Sequence, residues 1–188
     1  MIFQFKIQLE RITKPPIWRR VQVNADITFR QFHDVIQTAF LWSSSHLYFF
    51  SEKGYQSSFH IQEIDHFDYD GDGSDDAEKI KLKDIFKKEK QNYRYIYDFG
   101  DDWDHKITLE KILDGNLDLP ICLAGNGQCP PEDCGGIGGF AVFKEAINNP
   151  SHPEYEELRE LLGFDEEDFW DENEFNIEEV NELLQDFE

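Results

Sequence analysis

Tyr93-Arg-Tyr-Ile-Tyr-Asp-Phe-Gly-Asp-Asp-Trp-Asp-His-Lys-Ile-Thr-Leu-Glu-Lys-Ile112 is the stretch whose reading decides the fold. Aromatic and aliphatic residues alternate with charged ones on both sides of a Gly/Asp cluster, the pattern of a hairpin with one buried face. A three-residue loop, Gly100-Asp101-Asp102, would pair Phe99 with Trp103 and Tyr97 with His105. Tyr95, Tyr97, Phe99, Trp103, His105, Ile107 and Leu109 then share one face, and Arg94, Asp98, Asp104, Lys106 and Glu110 the other. A two-residue loop would mix the faces, which a half-buried sheet resists. The pair is expected as strands over 93–99 and 103–112.

Working outward, residues 2–12 alternate with Phe3, Phe5, Ile7 and Leu9 on one face and read as a strand. Lys14-Pro15-Pro16 interrupts any ladder, because proline has no N–H to donate, and 17–23 reads as the returning strand. Asp26 or Thr28 can cap a helix running to Phe40 or Leu41, with Phe29, Phe32, Val35, Ile36, Ala39 and Phe40 on its apolar stripe. Further strands are expected at 46–51 and 55–61, and 80–86 reads as a strand end entering a helical turn. The predicted fold class is α+β: a mainly antiparallel or mixed sheet in the order ββαββ(α)ββ, with a β-grasp-like start, followed by C-terminal helices. One domain over 1–188 is expected. Residues 1–118 form its sheet body with an acidic insertion at 65–78. A Cys/Pro/Gly bend then opens the 119–188 part, with helices near 140–148, 153–162 and 177–187.

The 188 residues include 17 Phe, 7 Tyr and 4 Trp, enough large apolar bodies for a core. The net charge of −22 is local. Residues 65–78 hold seven acids and no base, and residues 150–188 hold sixteen acids against Arg159 alone. The rest of the chain is neutral. No basic stripe suited to duplex DNA is present, so direct duplex nucleic-acid binding is not expected. No run is long enough for a membrane span, and the N-terminus has no signal-peptide character. Three cysteines, an odd number, argue against a disulfide framework, and the expected location is cytoplasmic. The acidic blocks suit a basic protein partner. Aromatics on the strands could instead mark a homodimer face.

Three groups of residues carry candidate chemistry. His105, beside the Asp101/Asp102 turn, could be a general base or metal ligand, or a core histidine bonded to a tyrosine or a carbonyl. Cys122, Cys129 and Cys134 are separated by six and four residues, and only the second gap approaches zinc-ligand spacing. A transition-metal set of His105, Cys129 and Cys134, with a carboxylate from Asp133 or Glu132, could hold Zn²⁺. The acids beside Cys134 disfavour a thiolate nucleophile. Asp68, Asp70, Asp72 and Asp76, with Gly73, follow the first nine positions of an EF-hand loop and could bind Ca²⁺. The closing position is Lys79 where a bidentate Glu is needed.

Lys14-Pro-Pro-Ile-Trp-Arg-Arg20, Tyr97-Asp-Phe-Gly-Asp-Asp-Trp-Asp-His105 and the run from Cys122-Leu-Ala-Gly to Cys129-Pro-Pro-Glu-Asp-Cys-Gly-Gly136 are long motifs. With His152-Pro-Glu and the acidic C-terminal helix, they resemble the plasmid pRiA4b ORF-3-like family, some of whose members carry the label transposon passenger TnpR. The resemblance implies an association with mobile elements and brings no catalytic residues with it. The chain has no serine-recombinase arrangement and no basic helix-turn-helix. The expected function is therefore a non-enzymatic binding or adaptor role, with acidic surfaces engaging a basic partner. The alternative is a metal-dependent, hydrolase-like enzyme built on Asp101, Asp102, His105 and the Cys129–Cys134 bend.

Overall fold

The computed structural model describes residues 1–64 and 74–187. The chain opens with β1 (Ile2–Thr13), β2 (Pro16–Asn24) and α1 (Phe29–Phe40). Next come β3 (Tyr48–Ser51), β4 (His60–Gln62), β5 (Ser74–Asp76), the single-turn α2 (Leu82–Ile85), β6 (Asn92–Tyr97) and β7 (Trp103–Leu113). It closes with β8 (Ile121–Asn126), α3 (Gly136–Ala146), α4 (Tyr155–Leu162) and α5 (Ile177–Leu183). The strands form one mixed sheet in the order β5-β4-β3-β6-β7-β1-β2-β8, antiparallel except for the β4/β5 pair. The α+β class and its opening ββα order are as expected from the sequence.

The hairpin β1/β2 forms because period-two apolar residues flank a proline turn, and β1 then takes β7 as its second neighbour. Phe3, Phe5, Ile7 and Leu9 are buried beneath α1. Thr28 caps that helix reciprocally with Gln31: the Gln31 N–H donates to Thr28 Oγ1 at 3.1 Å, and the Thr28 N–H to Gln31 Oε1 at 3.1 Å. The helix stops at Leu41, which takes a left-handed conformation at φ 58°. Its apolar stripe meets the sheet through rings: Phe5 lies 4.9 Å from Phe32, and Phe29 lies 5.0 Å from Phe50. The opposite face of the sheet is crossed by ion pairs, Arg20 with Glu110 and Arg94 with Asp104 and Glu10.

The central hairpin corrects the expected register. Tyr95 faces His105 and Tyr97 faces Trp103, so the loop is Asp98–Asp102. The slide is two residues, one full period, which is why the face assignment survives for every strand residue. Asp98 and Asp102 both adopt positive φ, 55° and 56°. The Asp102 N–H closes on the Asp98 carbonyl at 2.7 Å, and Asp98 Oδ1 accepts the Gly100 N–H at 2.9 Å. An aspartate side chain that imitates a turn carbonyl competes with the ladder there. Phe99 consequently leaves the core and is half exposed.

Two other expectations are corrected. The strand expected over 55–61 is a 3-10 turn at Gly54–Gln56 followed by the short β4. The Cys/Pro/Gly bend expected to open the 119–188 part begins instead with β8, whose Cys122 pairs with Val21. The helical C-terminal part docks on this edge strand. The Asn181 side chain brackets Cys122, accepting its N–H at 2.8 Å and donating to its carbonyl at 3.0 Å. Trp170, Val180 and Leu184 are buried, with Trp170 edge-on to Phe143 at 4.8 Å.

Candidate functional site

Three segments meet at one end of the sheet: residues 41–47 after α1, the 98–102 hairpin loop and the 130–136 bend. Trp42 joins them, stacking on Tyr97 at 5.3 Å and donating from Nε1 to the Pro130 carbonyl at 2.9 Å. Glu132 forms the second joint. Its carboxylate accepts the Ser43 N–H at 2.8 Å and the Tyr97 hydroxyl, whose oxygen in turn accepts the Ser45 N–H at 3.1 Å. Burial, and Glu132 accepting its proton, raise the Tyr97 phenol well above its ordinary range. The third joint ties the hairpin loop to the bend, where Asp101 Oδ2 accepts the Gly135 N–H at 3.2 Å. Gly136, at φ +64°, passes so close that a Cβ there would lie 2.5 Å from the Asp101 carbonyl oxygen.

These joints bring His46, Asp98 and Asp133 together. The Nε2 of His46 lies 3.2 Å from Asp133 Oδ1 and 3.8 Å from Asp98 Oδ2. That nitrogen is shielded from water and has no hydrogen-bond partner. Asp98 is held from both sides: its N–H donates to the Leu47 carbonyl at 2.9 Å, and its Oδ1 is taken by Gly100, leaving Oδ2 toward His46. The imidazole meets the Tyr97 ring edge-on at 5.8 Å. Among the described residues, these three supply the set of His, Cys, Asp or Glu donor atoms that lie within 4.8 Å of one another. Bonds of about 2.0–2.2 Å to a tetrahedral zinc ion place its donors roughly 3.4 Å apart. The observed spacings straddle that value.

The residues singled out in the sequence fall in several places. His105 is fully buried, its Nδ1 beside the carbonyls of Trp103 (3.0 Å) and Tyr95 (3.3 Å). Phe40 and Trp42 press edge-on against its ring at 5.0 and 5.4 Å. Burial pushes its pKa down to about 3, so the ring is neutral. Asp101 is the loop tie described above, and Asp102 pairs with Arg11 at 2.9 Å on the surface. Among the described residues, His105, Cys129 and Cys134 are not grouped as donors: His105 is buried among core rings, and Cys129 faces the Arg19 guanidinium at 3.0 Å. Burial raises the thiols of Cys129 to about 11 and Cys134 to about 12, leaving neither as a thiolate at neutral pH.

In the calcium-like loop, Asp68, Asp70 and Asp72 lie outside the described residues. Asp76 is buried and engaged with Lys79 at 2.8 Å and the Glu78 N–H at 3.0 Å. The sequence reading missed His46, which had been placed at the head of a strand. Trp42-Ser-Ser-Ser-His46, a polar run directly after an amphipathic helix, signals a loop there but not what that loop faces. Among the described residues, no helix is long and apolar enough to cross a membrane.

A protein called y4hQ and described as uncharacterized, from Sinorhizobium fredii (strain NBRC 101917 / NGR234), is 31% identical over 187 residues, spanning 98% of this chain and 91% of its own. A crystal structure of MM3350 from Methanosarcina mazei Go1, a protein described as of unknown function, superposes with a TM-score of 0.78 at 34% identity, covering 95% of this chain and 96% of the other. The family model described as plasmid pRiA4b ORF-3-like protein matches residues 1–179. With one match across most of its length and a relative above 30% identity, the chain belongs to the plasmid pRiA4b ORF-3-like family.

Proposed function

We propose that the protein holds a divalent transition metal ion between His46, Asp98 and Asp133 and uses it in hydrolysis. The observation that carries this reading is the water-shielded Nε2 of His46 within 3.2 and 3.8 Å of two carboxylate oxygens. An imidazole with two carboxylates suits zinc or a neighbouring first-row ion. Three protein donors leave a coordination position open, as catalytic rather than structural sites do. A metal in such a position lowers the pKa of a bound water toward about 7, giving a nucleophile at neutral pH. The protein's own contribution is positional. Gly100 fixes one Asp98 oxygen, and the Trp42 and Glu132 joints fix the loop that carries His46. Asp133 is 76% exposed and leaves the site open on one side. With its two oxygens engaged by Ser43 and Tyr97, Glu132 serves as an anchor.

Metal analysis and calorimetry with Zn²⁺ test the reading. One ion per chain is expected, with affinity lost in His46→Ala and in Asp98→Asn. No uptake, or equal uptake by the variants, removes it. Failure of the zinc-loaded protein to cleave nitrophenyl esters and phosphoesters removes the hydrolytic part.

The segregated charge supports a second, compatible reading, in which the acidic C-terminal part engages a basic protein partner. Residues 150–188 carry a net −15 of the chain's −22. Recovery of no partner at low salt would sink it.

A further inference from the structure

A cleft of about 330 Å³ lies where the end of α1, the start of the bend and the C-terminal part face one another. Trp42, Pro130, Pro131 and Phe175 give it apolar walls, and Glu132, Glu174 and Glu179 give it carboxylates. At its base Arg19 is buried, its guanidinium 4.2 Å from the Phe175 ring and 5.1 Å from that of Phe40. All five of its N–H groups are committed: to the carbonyls of Ala39 (2.8 Å), Trp18 (2.9 Å), Asn126 (3.0 Å) and Gly127 (3.0 Å), and to Cys129 Sγ (3.0 Å). It has no hydrogen left for an anion.

Two residues that line the cleft hold polar atoms that nothing in the protein satisfies. Trp170 is buried, and its Nε1–H has no acceptor; the buried Oε1 of Gln128 has no donor. Both atoms are closed off from solvent, so what the cleft offers a ligand is its apolar walls and its carboxylates. Apolar walls with proline and tryptophan suit an extended chain. Glu174 and Glu179 are exposed and add negative charge to the mouth, which suits a cationic side chain beside that backbone.

We propose that this cleft is where a basic partner docks, by an extended arginine- or lysine-containing peptide segment that lies along Trp42, Pro130 and Pro131 and whose cation meets Glu174 and Glu179. The proposal rests on the second reading above for the sign of the partner's charge, and is independent of the metal site.

The test uses the full chain and a fluorescein-labelled Gly-Arg repeat decapeptide, followed by anisotropy. Two charge-matched variants separate a site from general attraction. Glu174→Gln/Glu179→Gln removes two carboxylates at the cleft. Glu156→Gln/Glu157→Gln removes two exposed ones from the first turn of α4. Roughly tenfold weaker binding is expected for the first and less than about twofold for the second, because a charge in contact acts far more strongly than a distant, screened one. The Trp170 indole N–H resonance, assigned with Trp170→Phe, should move on titration. Equal losses in both variants, or an unmoved indole signal, would overturn the cleft and leave the acidic-surface reading standing. No binding of the peptide at low salt would overturn both. Light scattering that shows a second copy of the chain occupying the cleft, competed by the peptide, would overturn the basic-partner assignment.

Discussion

His105 and His46 are separated by little more than Tyr97 and Trp42, yet they are in opposite situations. His105 sits inside the sheet, ringed by Phe40, Trp42 and Tyr95, and its one bonded nitrogen faces backbone carbonyls. His46 sits in a loop, its side chain 27% exposed, with two carboxylates before its free nitrogen. The first environment removes charge from the ring, and the second gathers charge around it. A histidine beside a Gly/Asp turn in the sequence is therefore not by itself a site. The aromatic neighbours that make a stretch conspicuous are the same ones that desolvate its histidine.

The strongest challenge to this contrast is acid. His105 and the equally buried His33 both have pKa values pushed down to about 3, chiefly by burial. In the unfolded chain each would take a proton near its ordinary value of 6.5. Their contribution to stability is therefore complete above that pH and falls away as pH drops toward about 3. Two protons taken up on unfolding give a slope approaching about 2.7 kcal/mol per pH unit inside the window. Denaturant melts between pH 7 and pH 5, whose endpoints are roughly set by the ordinary histidine range, should show stability dropping steeply. A flat profile would mean that neither ring is held neutral in the folded protein, and half the slope that only one is.

Next in size is His105→Ala, which empties a fully buried site and should cost about 3 kcal/mol. Metal uptake by the fraction that remains folded should be unchanged. Loss of uptake at full folding would restore His105 as a ligand. Gly136→Ala forces a Cβ onto the Asp101 carbonyl at a left-handed position, and should cost about 2 kcal/mol. Because that glycine sets how closely the bend meets the hairpin loop, metal affinity should fall with it. His46→Ala has the smallest effect on stability, within about 0.5 kcal/mol, since its ring bonds to nothing else in the core. Its thermal midpoint without added metal should match the wild type, and the two should separate once Zn²⁺ is present. A large loss without metal would make His46 a structural residue instead.

Much of the frame was legible in the chain. The face assignment of β6 and β7, the Thr28 cap, the proline turn between β1 and β2 and the start of α5 at Asn176 all follow from local chemistry. The errors share a cause. The five-residue hairpin loop depends on two aspartates at positive φ, which local pattern allows but does not require. Strand β8 was hidden because Cys122-Leu-Ala-Gly-Asn has little alternation; it becomes a strand by pairing with β2 and being covered by α5. For the site, Asp98 and Asp133 were visible as acids in the right motifs, and Asp133 was already named beside the cysteines. His46 was not, because nothing within its own segment signals that the loop folds back over Tyr97.

The sequence by itself determined the periodicities, the caps, the segregation of charge and the family, since each is written in residues close together along the chain. Only the tertiary structure decided which histidine faces carboxylates and which faces rings. Donor atoms drawn from residues 46, 98 and 133 come within bonding range of one ion only when three loops are pinned by Trp42, Glu132 and Gly136. Those pins act between segments far apart in the chain, and such distances are set by packing rather than by any local preference.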